Sequence, residues 1–153
     1  MLKLADSLKL PSDEAVTPAD LCYIAGLFEG EGMIAITKAG ATRYRLIVAI
    51  ANTDRELIDA LVRSWPCSLS TSLQPRRRRS WTWGLTNSRA ERFIVQLLPY
   101  LRTNRVRRKA ELALRFRRHT SLDCTVNRRR DYKSEQSRFY AEMRVLNRRG
   151  RAA

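Results

Sequence analysis

The sequence predicts an α+β domain in the order αββαββα: a four-stranded antiparallel sheet with helices on one face, followed by additional C-terminal helices. Three observations carry this. Helix starts recur at Thr17-Pro18-Ala19-Asp20, Thr53-Asp54-Arg55-Glu56 and Ser88-Arg89-Ala90-Glu91, each a hydroxyl followed three residues later by an acid. Between them lie two pairs of β-prone segments, each pair interrupted by turn formers or a charge run. The chain of 153 residues, 44% hydrophobic, is long enough to bury one substantial core.

Residues 1–16 show weak periodicity and a Pro-Ser-Asp break, and read as an N-terminal arm; residues 17–153 form the single domain. Thr17 is the expected N-cap of the first helix, with Pro18 at the first helical position. Leu21, Ile24, Ala25 and Phe28 follow at i, i+3, i+4 and i+7 on one apolar face. The helix should stop at the glycines from Gly30. Met33 to Lys38 and Arg43 to Ala51 then form a hairpin around Ala39-Gly40-Ala41. In its second strand Tyr44, Leu46, Val48 and Ile50 should face the core, and Arg43 and Arg45 the opposite side.

Thr53 to Glu56 reads as a capping box for a second helix bearing Leu57, Ile58, Leu61, Val62 and Trp65. Cys67 to Gln74 and Ser80 to Thr86 are the third and fourth strands, flanking Pro75 and the run Arg76, Arg77, Arg78, Arg79. Trp81 and Trp83 share a face, either open to a ligand or filling core under the helices, and core is the favoured reading. Ser88 to Glu91 should cap a third helix carrying Phe93, Ile94, Leu97 and Leu98. Further helices are expected from about Val106 to Arg118 and from Ser134 to Asn147, with a loop around Arg128 to Arg130 between them.

Charge narrows the function class. Thirty Lys plus Arg against fifteen Asp plus Glu give a net charge of +15 and a pI near 10.9, which calls for a polyanionic partner. Arginine dominates, and its planar fork suits phosphates and guanine edges. No apolar run is long enough to span a bilayer and no secretory signal is visible, so no membrane partner is expected. Cys22, Cys67 and Cys124 are far apart with no CxxC pair, which argues against a disulfide framework or zinc site and for an intracellular setting. His119, the only histidine, reads as a helix-end or surface residue. Any catalysis must then rest on carboxylates, metal and arginine.

The sharpest local feature is Tyr23-Ile-Ala-Gly-Leu-Phe-Glu-Gly-Glu-Gly32. Glycine inside a helix costs about 0.5–1 kcal/mol relative to alanine, so Ala25 and Gly26 imply a close neighbour. Glu29 and Glu31 lie at a helix C-terminus, where carboxylates oppose the macrodipole, so a function explains them better than stability does. In a Gly-rich exit, their carboxylates and nearby carbonyls could converge on a hard cation.

Residues Ile24 to Gly32 resemble the nine-residue signature of the LAGLIDADG homing endonucleases, and the element order resembles that family's fold. The resemblance spans about Thr17 to Phe116. It implies that the motif helices of two chains pack together through Ala25 and Gly26, making a homodimer. It also implies that Glu31 and the carbonyl of Gly30 bind catalytic Mg²⁺, with Ca²⁺ supporting binding without cleavage, and that Glu29 organises the helix ends. The implied substrate is double-stranded DNA with a long near-palindromic target, cut near its centre, and the implied setting is a mobile intron or intein.

By the same resemblance, further active-site groups fall at Asn52 or Thr53 and just after the Pro99-Tyr100-Leu101 turn. There this chain carries Arg105 where the family often has lysine. The open sheet face should read DNA through Ala35, Thr37, Arg43, Arg45, Ser70, Ser72 and Gln74, with Arg76, Arg77, Arg78 and Arg79 at the hairpin tip. The rival readings on this scaffold are an RNA maturase and a non-cleaving DNA-binding protein; a more distant one is a basic RNA-associated protein using Arg102 to Arg118.

Overall fold

The computed structural model describes residues 16–40, 43–72, 79–122 and 130–148. Within them the order is α1 (Pro18–Glu31), β1 (Gly32–Lys38), β2 (Tyr44–Asn52), α2 (Arg55–Ser64), β3 (Ser68–Ser72), β4 (Ser80–Thr86), α3 (Asn87–Leu97), α4 (Asn104–Leu122) and α5 (Arg130–Asn147), with a 3₁₀ turn at Leu98–Tyr100. The αββαββα order and the antiparallel sheet match the expectation. The arm up to residue 15 lies outside the described residues, as do Gln74 and Arg76 to Arg78 of the β3–β4 connection.

Local chemistry sets most boundaries. Thr17 caps α1 through a reciprocal box: Asp20 N–H donates to Thr17 Oγ1 at 3.2 Å, and Thr17 N–H donates to Asp20 Oδ2 at 3.0 Å. The helix does not stop at Gly30 but continues through Glu31, because Gly32 N–H still donates to Phe28 O. In α2 the cap is Asp54 rather than Thr53: its Oδ1 accepts from Glu56 N–H at 3.0 Å, while Asn52 Oδ1 accepts from Asp54 N–H at 2.9 Å and fixes the turn.

The third start also differs. Thr86 is the N-cap of α3 and makes no side-chain capping bond. Ser88 and Glu91, whose spacing suggests a cap, instead accept from Arg117 Nη2 and Nε at 3.1 Å each, tying α3 to α4. Asn87, at φ 48, turns its Oδ1 to accept from Leu46 N–H at 3.2 Å. Both later helices begin earlier than their periodicity suggests, and Arg130, expected in a loop, starts α5.

The sheet order is β1-β2-β4-β3, antiparallel throughout. Leu46, Val48 and Ile50 of β2, Ile34 and Ile36 of β1 and Trp83 and Leu85 of β4 are buried on the helix-covered face. Trp81 and Trp83 share that face, which settles them as core-side residues. Phe93 of α3 sits at the core's centre, with ring centroids 5.5 Å from Phe28, 5.2 Å from Trp65 and 5.1 Å from Trp83. Trp83 Nε1 donates to Trp65 O at 2.9 Å, and Trp65 Nε1 to Gln96 Oε1 at 3.0 Å, so the buried indole of Trp83 and the half-buried one of Trp65 are both satisfied.

α5 runs antiparallel to β1 along the sheet edge. Tyr44 pairs with Ser137 (3.2 Å) and stacks with Tyr140 (5.3 Å) near the end of β1, while Asn147 Nδ2 donates to Ile34 O at 2.8 Å near its start. That occupies an edge carbonyl otherwise open to a foreign strand. His119 lies between α4 and α5, its ring 5.8 Å from Phe139 and Nε2 3.2 Å from Glu135 Oε2, a packed rather than surface position.

Candidate active site and nucleic-acid interface

Four elements meet where α1 hands over to β1. Glu31 is the last residue of α1 and is exposed. Gly32 opposite Ile50 in the ladder puts Asn52, at the end of β2, at the same end of the sheet. Glu29 reaches the start of α4: its Oε1 accepts from Arg102 N–H and Thr103 N–H at 2.6 Å each and from Thr103 Oγ1 at 3.1 Å. Burial pushes the Glu29 carboxyl up, but the hydrogen bonds from Thr103 and Arg102, with the Arg102 charge, outweigh this and hold its pKa below the ordinary value. This tether explains why α4 begins at Asn104, and it brings exposed Arg105, in the first turn, to the α1 end.

The two motif carboxylates therefore do different jobs. Glu29, half-buried, is engaged at the start of α4, and Glu31 at the end of α1 is exposed. The glycines act through space rather than backbone conformation. Among the described residues only Gly40 and Asn87 have positive φ, and Gly32 has φ −80. A Cβ at Gly32 would run into the Phe28 ring and carbonyl, so glycine is needed there for close approach.

The donor chemistry at this end suits Mg²⁺, a hard cation usually held by one or two carboxylates with waters and substrate phosphates completing its shell. Glu31 is one such carboxylate, and the carbonyls beyond Phe28 at the end of α1, Gly30's among them, find no donor within the helix and carry the negative end of the macrodipole. No group of three His, Cys, Asp or Glu among the described residues could hold a metal within one chain. Asn52 Oδ1 is already engaged by Asp54, leaving its amide N–H groups for another partner. Burial pushes the Cys67 thiol up despite the opposing Gly84 hydrogen bond and Arg89 charge, so this cysteine is no thiolate ligand.

The outer side of α1 corrects one expectation. Ala25 is 1% exposed and packs in the chain's own core beside Ile24 and Phe28, so its side chain has no surface to offer a second copy. Gly26 and Gly30 face outward, with nothing within 4 Å of where a Cβ would stand, and Tyr23 beside them is 66% exposed. Sequence reasoning missed Tyr23, although its position three residues before Gly26 puts it on the same side.

The open sheet face can be traced row by row. Met33 lies opposite Ala49, Ala35 opposite Ile47 and Thr37 opposite Arg45, while Ala51, Thr82 and Ser70 form a row across β2, β4 and β3. Arg45 and Ser70 are exposed and Thr37 half-buried; Arg45 Nε donates to Thr37 Oγ1 at 3.4 Å. Arg43 is exposed two residues before Arg45, and its carbonyl accepts from Ala39 N–H at 2.7 Å to close the hairpin. Ser72 pairs with Ser80, and Arg79 just before β4 is exposed. No helix among the described residues is long and apolar enough to cross a membrane.

No family model matches this sequence, nor does any curated protein. Solved structures do match its fold. The homing endonuclease I-CvuI, in complex with its target in the presence of Ca, aligns with a TM-score of 0.69 over 88% of this chain and 86% of that one, at 14% identity. The archaeal intron-encoded homing endonuclease I-Vdi141I, complexed with DNA, aligns with a TM-score of 0.63 over 86% of each chain at 12% identity. The LAGLIDADG homing endonuclease I-SmaMI, bound to cleaved DNA, aligns with a TM-score of 0.63 at 14% identity, over 87% of this chain but 45% of its own. Its helices, its four antiparallel strands and their order give this chain the fold of the LAGLIDADG homing endonucleases.

Proposed function

We propose that two copies of this chain form a site-specific, Mg²⁺-dependent double-strand DNA endonuclease. The observation that carries the reading is the end of α1: an exposed carboxylate, Glu31, on a helix whose outer side Gly26 and Gly30 keep bare. Packing two such helices through Gly26 brings two Glu31 side chains together, and a divalent cation relieves their mutual repulsion. One copy of this chain aligns with about 45% of I-SmaMI, a length that two copies would fill.

Glu31 and the Gly30 carbonyl would hold the cation. When bound, it supplies an activated water and neutralises the leaving 3′ oxygen. Arg105 neutralises charge on the scissile phosphate, and the Asn52 amide orders solvent at the end of β2. Thr37, Arg43, Arg45, Ser70 and Arg79 contact DNA from the sheet, and we extend this role to Ser72, Gln74 and Arg76 to Arg78. Phosphate contacts position the duplex and base contacts select it, and a two-fold dimer selects a near-palindrome.

The test is to incubate purified protein with a randomised plasmid library in Mg²⁺ and in Ca²⁺ and sequence the ends. The reading expects cuts at one recurring near-palindromic sequence in Mg²⁺ alone. Tight binding to intron RNA without Mg²⁺-dependent cuts would replace it with the maturase reading.

A further inference from the structure

The open face of the sheet changes chemistry along its length. Starting from the Glu31 end, the first row across β1 and β2 is Met33 with Ala49, the second Ala35 with Ile47, and the third Thr37 with Arg45. Successive rows are about 6.6 Å apart, the length of about two base-pair steps. Met33 is 46% exposed, and Ala35 and Ile47 are half-buried. None of the four side chains in the first two rows carries a donor or an acceptor suited to a base edge. The β1–β2 half of this face is therefore apolar for about 13 Å beyond Glu31 and turns basic at the third row, about 20 Å out, while β4 continues the second row with exposed Thr86 beside Ile47.

A helix partner or second sheet could also cover an apolar patch, but charge argues for nucleic acid. Arg45 and Arg43 continue the patch at its far end, Arg79 flanks the sheet beside β4, and the chain as a whole carries +15. An apolar surface set in a major groove meets one apolar group on a base pair, the C5-methyl of thymine. Cytosine's N4 amino group placed there would lose its hydrogen bond to water. At the third row the chemistry inverts. The bond from Arg45 Nε to Thr37 Oγ1 orients the guanidinium and leaves its two terminal amino groups, the pair that guanine O6 and N7 accept from.

We propose that Ala35 and Ile47, with Met33, select thymine in the inner part of each half-site, and that Arg45, oriented by Thr37, selects guanine farther out. The inference rests on the DNA-endonuclease reading above and specifies its substrate. It makes Ile47 a specificity-determining residue although it has no polar atom in its side chain.

The experiment selects bound duplexes from a library randomised across the half-site, in Ca²⁺, and sequences them, so that it needs no cleavage. Wild type should enrich thymine at inner positions and guanine at an outer one. Ile47→Gln should switch one inner position per half-site from thymine to adenine, by roughly 5- to 150-fold, the discrimination of one bidentate contact. Arg45→Ala should remove the guanine preference and leave thymine untouched. Ala35→Gln, in the same row as Ile47, provides an independent variant should Ile47→Gln not fold. Selective binding with an unchanged inner preference in a folded Gln variant overturns this inference alone. Failure of the wild type to select any duplex overturns the DNA reading itself.

Discussion

Removing the Glu29 carboxylate should loosen the start of α4 and make that loss pH-dependent. In Glu29→Gln the side chain keeps a neutral acceptor but loses the charge that receives two backbone N–H groups and the Thr103 hydroxyl. Three charge-assisted bonds would sum to several kcal/mol if buried, but these groups are exposed and water replaces what is lost. The better scale is a helix N-cap, 0.5–2 kcal/mol on removal, and we take about 1 kcal/mol at neutral pH. For a domain of this size that lowers Tm by about 2–4 °C. The pKa of Glu29 is lowered in the folded state, so its stabilisation is complete above the ordinary glutamate value of 4.5 and is lost as pH falls through the folded-state value. Thermal unfolding of both proteins from pH 7 to pH 3 should therefore show a constant gap above pH 5 that closes in acid. A gap independent of pH down to 3, or no gap at neutral pH, would refute the tether.

Other perturbations probe the remaining parts. Gly26→Leu should leave the monomer fold intact, since its Cβ meets nothing within 4 Å, while sedimentation shows the dimer replaced by monomer; an unchanged dimer would place the interface elsewhere. Gly32→Ala should unfold at lower denaturant because its methyl collides with Phe28, and an unchanged midpoint would show that α1 can shift. Phe93→Ala, at the meeting point of Phe28, Trp65 and Trp83, should cost about 3–5 kcal/mol in chemical denaturation.

The fold was legible because its signals are local. The Thr17 box, the alternation through Tyr44 to Ile50 and the apolar face of α2 all act within a few residues of themselves. What could not be read depends on distant groups. Ser88 and Glu91 have the spacing of a cap, yet Arg117, far along the chain, takes both. Glu29 and Glu31 look equivalent as a Glu-Gly-Glu triplet, and only the approach of Arg102 and Thr103 distinguishes them.

Ala25 and Gly26 are likewise adjacent small residues with opposite fates. The helix turns by about 100° per residue, so one enters the core and the other faces out, and Ile24, Ala25 and Phe28 already mark the inward face. On the sheet, alternation puts Arg43, Arg45 and Thr37 on the open face, and Met33 and Ile47 share it, though an apolar side chain gives no sequence signal of a base contact.

The central claim is that Glu31 holds the cation that cuts DNA. The direct measurement compares wild type and Glu31→Gln on the target recovered from the library, scoring binding in Ca²⁺ and cleavage in Mg²⁺. Because Glu31 is exposed and outside the core, the variant should fold, dimerise and bind as the wild type does, and cut at least about a hundredfold more slowly, since losing a mere outer-shell partner of a metal ligand already costs about 10–100-fold in metal affinity or activity. A Glu31→Gln protein that cuts at the wild-type rate would contradict the account.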